Sequence, residues 1–372
     1  MNEDAASADD ELDADELRAM GISHELIPDG DELVEMVQLL RDLGVQLEDM
    51  IDEDLTFLGA PRMIRPDAKI EPRLIFQQEG SDADFRAKTA LALGFNVSED
   101  TRLLTPGEVD TIEFFHEMRL LVGDDDVLSL MRVMGSSMGR LARSVVSSLR
   151  VHSESPILEE TGSLIEVFTA YRSIVEEMLP QFLDSTAVVL RRHLAVAASS
   201  PNIWNVDGSR AATMEQTSVG FVDLVGFTSF TERANLEQFV GALQAFESQA
   251  QDVIVSNGGT LVKLIGDEVM FVAPTPASAV EIARRLANLP LGDSGPGSVR
   301  IGLASGEVVA VGGDFYGTVV NIAARAVQEA EPDTIVVTAQ VANGAHASSQ
   351  FEPLGPRNLR GISEPIELFR LL

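Results

Sequence analysis

The sequence predicts an all-α first half joined to an α+β second half, the latter a ferredoxin-like βαββαβ core in which helices cover one face of an antiparallel sheet. Three observations carry this. Apolar residues recur at helical spacing through most of residues 16–199. After Glu215 the pattern switches to short runs rich in Val, Ile and Phe that alternate with amphipathic helical stretches. Between two such runs, 260–265 and 268–273, Gly266-Asp267 has the character of a hairpin turn.

Composition narrows the function classes. With 372 residues the chain is long enough for two cores. Its formal net charge of −32 excludes a nucleic-acid surface or an anionic membrane as the natural partner. A bound nucleotide would have to be met by local chemistry, and a divalent cation supplies positive charge to a phosphate inside a negative protein. The chain has no cysteine, which rules out disulfides, thiolate zinc sites and thiol nucleophiles. No apolar run reaches the roughly 18 residues of a membrane span, and the N-terminus has no apolar signal core, so a cytoplasmic protein is expected. Only three of the 27 basic residues are lysines, and the one in the C-terminal half, Lys263, lies four residues before Asp267.

In chain order, residues 1–17 carry eight acids ahead of Arg18 and read as a solvated tail. A helix capped by Asp31 follows, with Leu33, Met36, Val37, Leu40 and Leu43 on one side. A second helix is expected after Gln46, then a proline-containing connection over 61–72 and a short helix over 87–94. Thr105-Pro106 starts another helix as N-cap and first-turn proline. The stretch 126–147 is long and amphipathic, with Met131, Met134 and Met138 as core filler. Pro180 should kink or divide the helical stretch 161–199. Residues 200–215 read as a linker, giving a helical domain over 18–199 and a second domain over 216–372. In that domain strands are expected at 218–224, 260–265, 268–273, 299–304, 307–311, 334–338 and 366–371, with helices at 235–256, 276–289 and 318–330.

Chemistry concentrates after residue 216. Asp223 and Asp267 are acids at the ends of apolar strands that the βαββαβ plan makes neighbours. They fit either turn residues or carboxylate ligands of a pair of magnesium ions. The segment Val225-Gly226-Phe227-Thr228 would present backbone N–H groups to a phosphate chain. Asn321 and Arg325 lie one helical turn apart, an amide and a guanidinium suited to a ribose oxygen and a phosphate gaining charge.

Taken in order and spacing, VDLVGFTSF, LVKLIGDEVMFV, RIGLASGEVVAV and DFYGTVVNIAAR resemble the catalytic domain of class III nucleotidyl cyclases over 216–372. The resemblance implies that Asp223 and Asp267 hold two magnesium or manganese ions, that Lys263 and Asp314 select the purine, and that Asn321 and Arg325 stabilise the transition state. Arg360, in NLRGISEP, falls where the family often has a lysine for the terminal phosphates. Tyr316 stands in place of the more usual tryptophan and Ala324 in place of a frequent serine. The hairpin IGDEVMFV also has a superficial likeness to diguanylate cyclases, and a catalytically silent nucleotide-binding regulator is a further alternative. Against these stand the Asn321/Arg325 helix, the Lys263/Asp314 pair and the full polar set.

Hydrogen-bond polarity favours adenine. Its N1 accepts and its 6-amino group donates, which complements donor-only Lys263 and acceptor-only Asp314. The family's sites form between two catalytic domains, so the resemblance implies a homodimer with shared sites, metal acids from one subunit and the other four residues from its partner. The layout is similar to soluble bacterial cyclases with a helical autoregulatory domain. A regulatory signal would reach the catalytic domain through residues 177–199, where His193, beside Arg191 and Arg192, reads first as a surface histidine and second as a pH-sensitive group. An apolar small molecule in the helical domain is a second regulatory expectation.

Overall fold

A computed structural model describes residues 13–76, 81–95, 103–199, 213–290 and 297–372. The chain divides into two compact units, Met1–Ala197 and Ala198–Leu372.

Among its described residues the first unit is helical, apart from a single β-bridge between Ile70 and Leu104. Helix α1 (Ala14–Ala19) is capped by Asp13 and buries Leu17, so the end of the expected acidic tail is folded; residues 1–12 lie outside the described residues. Helix α2 (Gly30–Asp42) buries Leu33, Met36, Val37 and Leu40. Its N-cap is Asp29 rather than Asp31, whose carboxylate instead sits in the first turn, where the helix dipole favours it. After Gln46 the chain makes a 3-10 turn, Leu47–Met50, then α3 (Leu55–Ile64), which contains Pro61. The proline-bearing connection is therefore shorter than expected. Helices α4 (Arg73–Phe76), α5 (Ser81–Ala92), α6 (Pro106–Val122), α7 (Asp124–Leu149) and α8 (Ser155–Thr161) follow. Thr105 and Glu108 form a capping box at α6, with Pro106 in its first turn.

Helix α9 (Leu164–Ser173) passes through a π turn, Ile174–Met178, into α10 (Leu179–Ala198). Pro180 neither ends nor divides the helix. The widened turn just before it absorbs the misfit of a residue that has no N–H and crowds the preceding turn. Two apolar clusters form. One joins Leu33, Met36, Leu40 and Leu55 to Leu164 and Phe168, the other Phe85 and Phe115 to Val127 and Met131. Met131 and Met134 pack in the second as expected, while Met138 is exposed.

In the second unit β1 (Thr213–Val225) starts inside the expected linker, the rest of which, 200–212, lies outside the described residues. It leads to α11 (Phe227–Thr231), α12 (Leu236–Ser256), the hairpin β2 (Thr260–Ile265) and β3 (Glu268–Ala273), and α13 (Pro276–Ala287). Next come β4 (Ser298–Val311), one unbroken strand where two were expected, β5 (Asp314–Tyr316), α14 (Thr318–Ala326), β6 (Ile335–Thr338), α15 (Ala339–Gly344), β7 (Phe351–Arg357) and β8 (Ile366–Leu371). The sheet order is β2-β3-β1-β4-β6-β8-β7, with β5 on β4. All pairs are antiparallel except β4–β6.

The pleat sorts the two faces. Val222, Leu224, Val269, Phe271, Val299, Ile301 and Leu303 pack with α12 and α13, whereas Val219, Phe221, Met270, Val272 and Val308 pack with α14. Helices thus lie on both faces, not one as the sequence suggested. Helix α14 can lie close to the sheet because position 302 is glycine: a Cβ there would stand 2.3 Å from the Val327 backbone nitrogen. Among the described residues no helix is long and apolar enough to cross a membrane.

Candidate active site

Asp223 lies near the end of β1 on the α14 side of the sheet, the parity of Val219 and Phe221. Its register partners are Glu268 on β3 and Arg300 on β4, which places Glu268, Asp223 and Arg300 in one row across three strands. Arg300 Nε donates to Asp223 Oδ2 at 2.6 Å. Asp267 follows Gly266, whose φ of 65° makes the tight turn between β2 and β3. The Leu224 N–H donates to the Asp267 carbonyl at 3.3 Å and ties that turn to β1 beside Asp223.

The row is electrostatically unbalanced. Burial, reinforced by the charge of Asp223, pushes the Asp267 carboxyl above the usual carboxylate range. Burial and the charges of Asp223 and Asp267 do the same to Glu268, against the opposing fields of Arg300 and Arg325. Three carboxylates therefore share one paired cation. Among the described residues no three acids or histidines are arranged to hold a metal ion by themselves. The donor set fits a hard divalent cation that takes its remaining oxygen ligands from water and a bound phosphate chain.

Lys263 and Asp314 form a second charged group. Lys263 Nζ donates to Asp314 Oδ2 at 2.5 Å, and Asp314 Oδ1 accepts from the Phe315 N–H at 2.8 Å. Lys263 is level with Met270, Phe221 and Gly302, and Asp314 with Val311. Nine residues of straight strand would separate those levels by about 30 Å. The β1–β4 ribbon must therefore curl back over the α14 face, where Phe315 and Val308 pack in the same cluster as Val262.

Asn321 is exposed and Arg325 half-buried on α14. Neither side chain has a hydrogen bond or ion pair among the described residues, so both are available to a ligand. Arg360 is exposed in the β7–β8 loop, beside Leu359, which packs with Ile322 and Ala326 of α14. Phe227 is buried against Phe230 and Phe239, so only its backbone is left for a phosphate. Thr228 is the second residue of α11; its side chain lies outside what is described. Tyr316 is exposed. Arg300 and Glu268 were not singled out by sequence. The signal available was their parity: both sit where a pleated strand points its side chains to the same face as Asp223.

Residues 210–372 match the family described as the adenylate and guanylate cyclase catalytic domain. An uncharacterized protein of Mycobacterium tuberculosis is 31% identical over 368 residues, covering 97% of this chain and 95% of its own length. An adenylate cyclase of Streptomyces coelicolor is 30% identical over 298 residues, 79% of this chain and 73% of that protein. A pH-sensitive adenylate cyclase of M. tuberculosis is 24% identical over 353 residues, 91% and 88% of the two chains. The chain belongs to the class III adenylate and guanylate cyclase family, with a helical region ahead of its cyclase domain.

Proposed function

We propose that the protein is an adenylate cyclase that converts ATP to 3′,5′-cyclic AMP and pyrophosphate. The observation that carries the choice of ATP is the Lys263–Asp314 pair, brought together at 2.5 Å from distant strand positions. Lys263 would donate to adenine N1 and Asp314 accept from the 6-amino group; guanine, with N1–H and O6, has the reverse polarity. The names of the Streptomyces and Mycobacterium relatives agree with this reading.

In the reaction the ribose 3′-oxygen bonds to the α-phosphorus, the bond from that phosphorus to the β-phosphate bridging oxygen breaks, and the 3′-hydroxyl proton is released. Asp223 and Asp267 would hold two divalent ions, magnesium or manganese. When bound, these would supply charge stabilisation at the triphosphate and acidify the 3′-hydroxyl. Asn321 would orient the ribose, and Arg325 would meet the charge growing on the α-phosphate. Arg360 would contact the terminal phosphates, and the backbone at Phe227 and Thr228 the remainder of the chain.

Asn321 is exposed on α14 and its side chain has no hydrogen bond among the described residues, which supports a homodimer whose two sites each take the acids from one subunit and Lys263, Asp314, Asn321 and Arg325 from the other. The helical region would serve as a cytoplasmic regulator of that assembly, with proton binding or an apolar ligand as its signal. The direct test is to supply purified full-length protein with ATP or GTP and either metal, beside Asp223→Ala and Lys263→Glu. The wild type is expected to form cyclic AMP from ATP, Lys263→Glu about a hundredfold less and Asp223→Ala least of all. Product from GTP alone, or equal activity in Asp223→Ala, overturns the assignment.

A further inference from the structure

The Glu268–Asp223–Arg300 row holds a feature that cation binding by Asp223 does not require. Arg300 and Asp223 are directly opposite on β4 and β1, and the guanidinium Nε donates to Oδ2 at 2.6 Å. The pair is sheltered, with side-chain exposures of 36% for Arg300 and 16% for Asp223. A charge-assisted contact in such a setting is stronger than a surface ion pair. On the far side of Asp223 stands Glu268, and in the adjacent turn Asp267; no ion pair among the described residues engages either carboxylate. Arg300 thus engages one acid of three, and it is one of the two acids assigned to metal.

We propose that Arg300 is a positioning residue that occupies Asp223 when no metal is bound, so that the guanidinium and a divalent cation compete for one carboxylate. This rests on the reading of Asp223 as a metal ligand given above. A cation entering the row exchanges the Arg300–Asp223 contact for its own contact with Asp223, and its apparent affinity is reduced by the strength of the contact it breaks. Asp267 and Glu268, which have no ion pair among the described residues, attract the ion without opposing it. The arrangement keeps Asp223 fixed in the empty site, limits self-repulsion among the acids, and makes the nucleotide-free protein a weak binder of metal.

The test is manganese binding to the full-length, nucleotide-free protein, read from the electron paramagnetic resonance signal of free manganese. Arg300→Gln should bind manganese roughly tenfold more tightly than wild type, the scale of losing one charge-assisted contact. Arg300→Lys, which keeps the charge but cannot present Nε, should fall between the two. Arg325→Gln removes a positive charge whose field reaches Glu268 without contacting an acid; its gain should be smaller than that of Arg300→Gln. Asp223→Asn should lose affinity. If Asp223→Asn weakens binding while Arg300→Gln leaves it unchanged or weaker, the competition is refuted and the metal site stands. Equal gains in Arg300→Gln and Arg325→Gln also refute it, because net charge alone would then account for both. If Asp223→Asn binds like wild type, the metal assignment itself fails. Circular dichroism and melting of each variant exclude misfolding, and should Arg300→Gln not fold, Arg300→Lys against wild type decides the question.

Discussion

The Arg65–Glu108 pair of the helical unit and the Arg300–Asp223 pair of the cyclase unit are matched in every simple measure. Each spans 2.6 Å, and the partners are exposed 32% and 22% in the first, 36% and 16% in the second. Their surroundings differ. Arg65 also donates to the Leu103 carbonyl at 2.8 Å, and Glu108 accepts from the Thr105 N–H at 2.8 Å while its own N–H donates to Thr105 Oγ1 at 3.1 Å. That pair closes the start of α6 onto the end of α3 and has one guanidinium for one carboxylate. The Arg300–Asp223 pair stands beside Asp267 and Glu268, two further acids whose carboxyls burial pushes above the usual range. Distance and burial alone do not separate a structural ion pair from a functional one. Local charge balance distinguishes the two, and under the proposed reading the surplus carboxylates await a cation.

The largest effect should come from the unbalanced group. Asp223→Asn should lower kcat/KM for ATP by roughly three orders of magnitude or more through the loss of metal-dependent stabilisation of the transition state, while the melting temperature stays near wild type because the lost Arg300 contact is offset by relieved repulsion from Asp267 and Glu268. Steady-state kinetics with saturating manganese checks this; a loss of tenfold or less would place Asp223 in the same structural class as Glu108.

Next is Lys263→Glu, which sets two carboxylates against each other where one pair now closes. Turnover of ATP should fall by about a hundredfold and the ratio of ATP to GTP turnover should drop with it, the size expected when a partly buried hydrogen-bonding group no longer matches its base. Competition between the two nucleotides in one reaction gives the ratio directly. An unchanged ratio would remove Lys263 from base selection.

The balanced pair should behave in the opposite way. Glu108→Gln should destabilise the helical unit by about 1–2 kcal/mol through the loss of one charge-assisted contact and a weakened cap. Its effect on kcat should stay within about twofold, as measured by denaturant unfolding alongside the assay. A collapse of activity at unchanged stability would show that this region acts on catalysis through more than folding.

The smallest effect concerns the metal-free protein. The folded Asp267 carboxyl lies above its unfolded value, so its ionised form is disfavoured by folding, and the penalty is fully present above the folded value and disappears as pH falls through it. Asp267→Asn removes the penalty. With solvent screening at this partly desolvated position, the chelator-treated variant should melt roughly 1–3 °C above wild type at neutral pH. The gap should close on acidification, and differential scanning at neutral and acidic pH tests both sign and trend.

These contrasts also mark what the sequence could disclose. Asp223 and Asp267 were legible because an acid among apolar strand formers violates the local pattern. Asn321 and Arg325 were legible as polar residues one turn apart on an otherwise apolar helix. Lys263 and Asp314 could be joined only through the family resemblance, since their meeting depends on a ribbon that curls back over the sheet, which no local spacing encodes. Arg300 was missed because an arginine between Val299 and Ile301 looks like the solvent side of an alternating strand. Strand β7 was missed because Pro353, Gly355 and Pro356 erase its pattern, and its edge position and bulge are what permit them. Pro61 and Pro180 misled in the other direction. Both sit inside helices, the second just after a π turn that makes room for it.

Under the proposed function each chain carries two halves of different sites, acids on the β1 and β2–β3 edge and purine and phosphate groups for its partner. Mixing inactive Asp223→Ala with inactive Asn321→Ala under subunit exchange tests it most directly. Random pairing makes about half the dimers mixed, each with one intact site, so roughly a quarter of wild-type cyclic AMP production should return. A mixture as inactive as its two components, with exchange verified, would contradict the shared site.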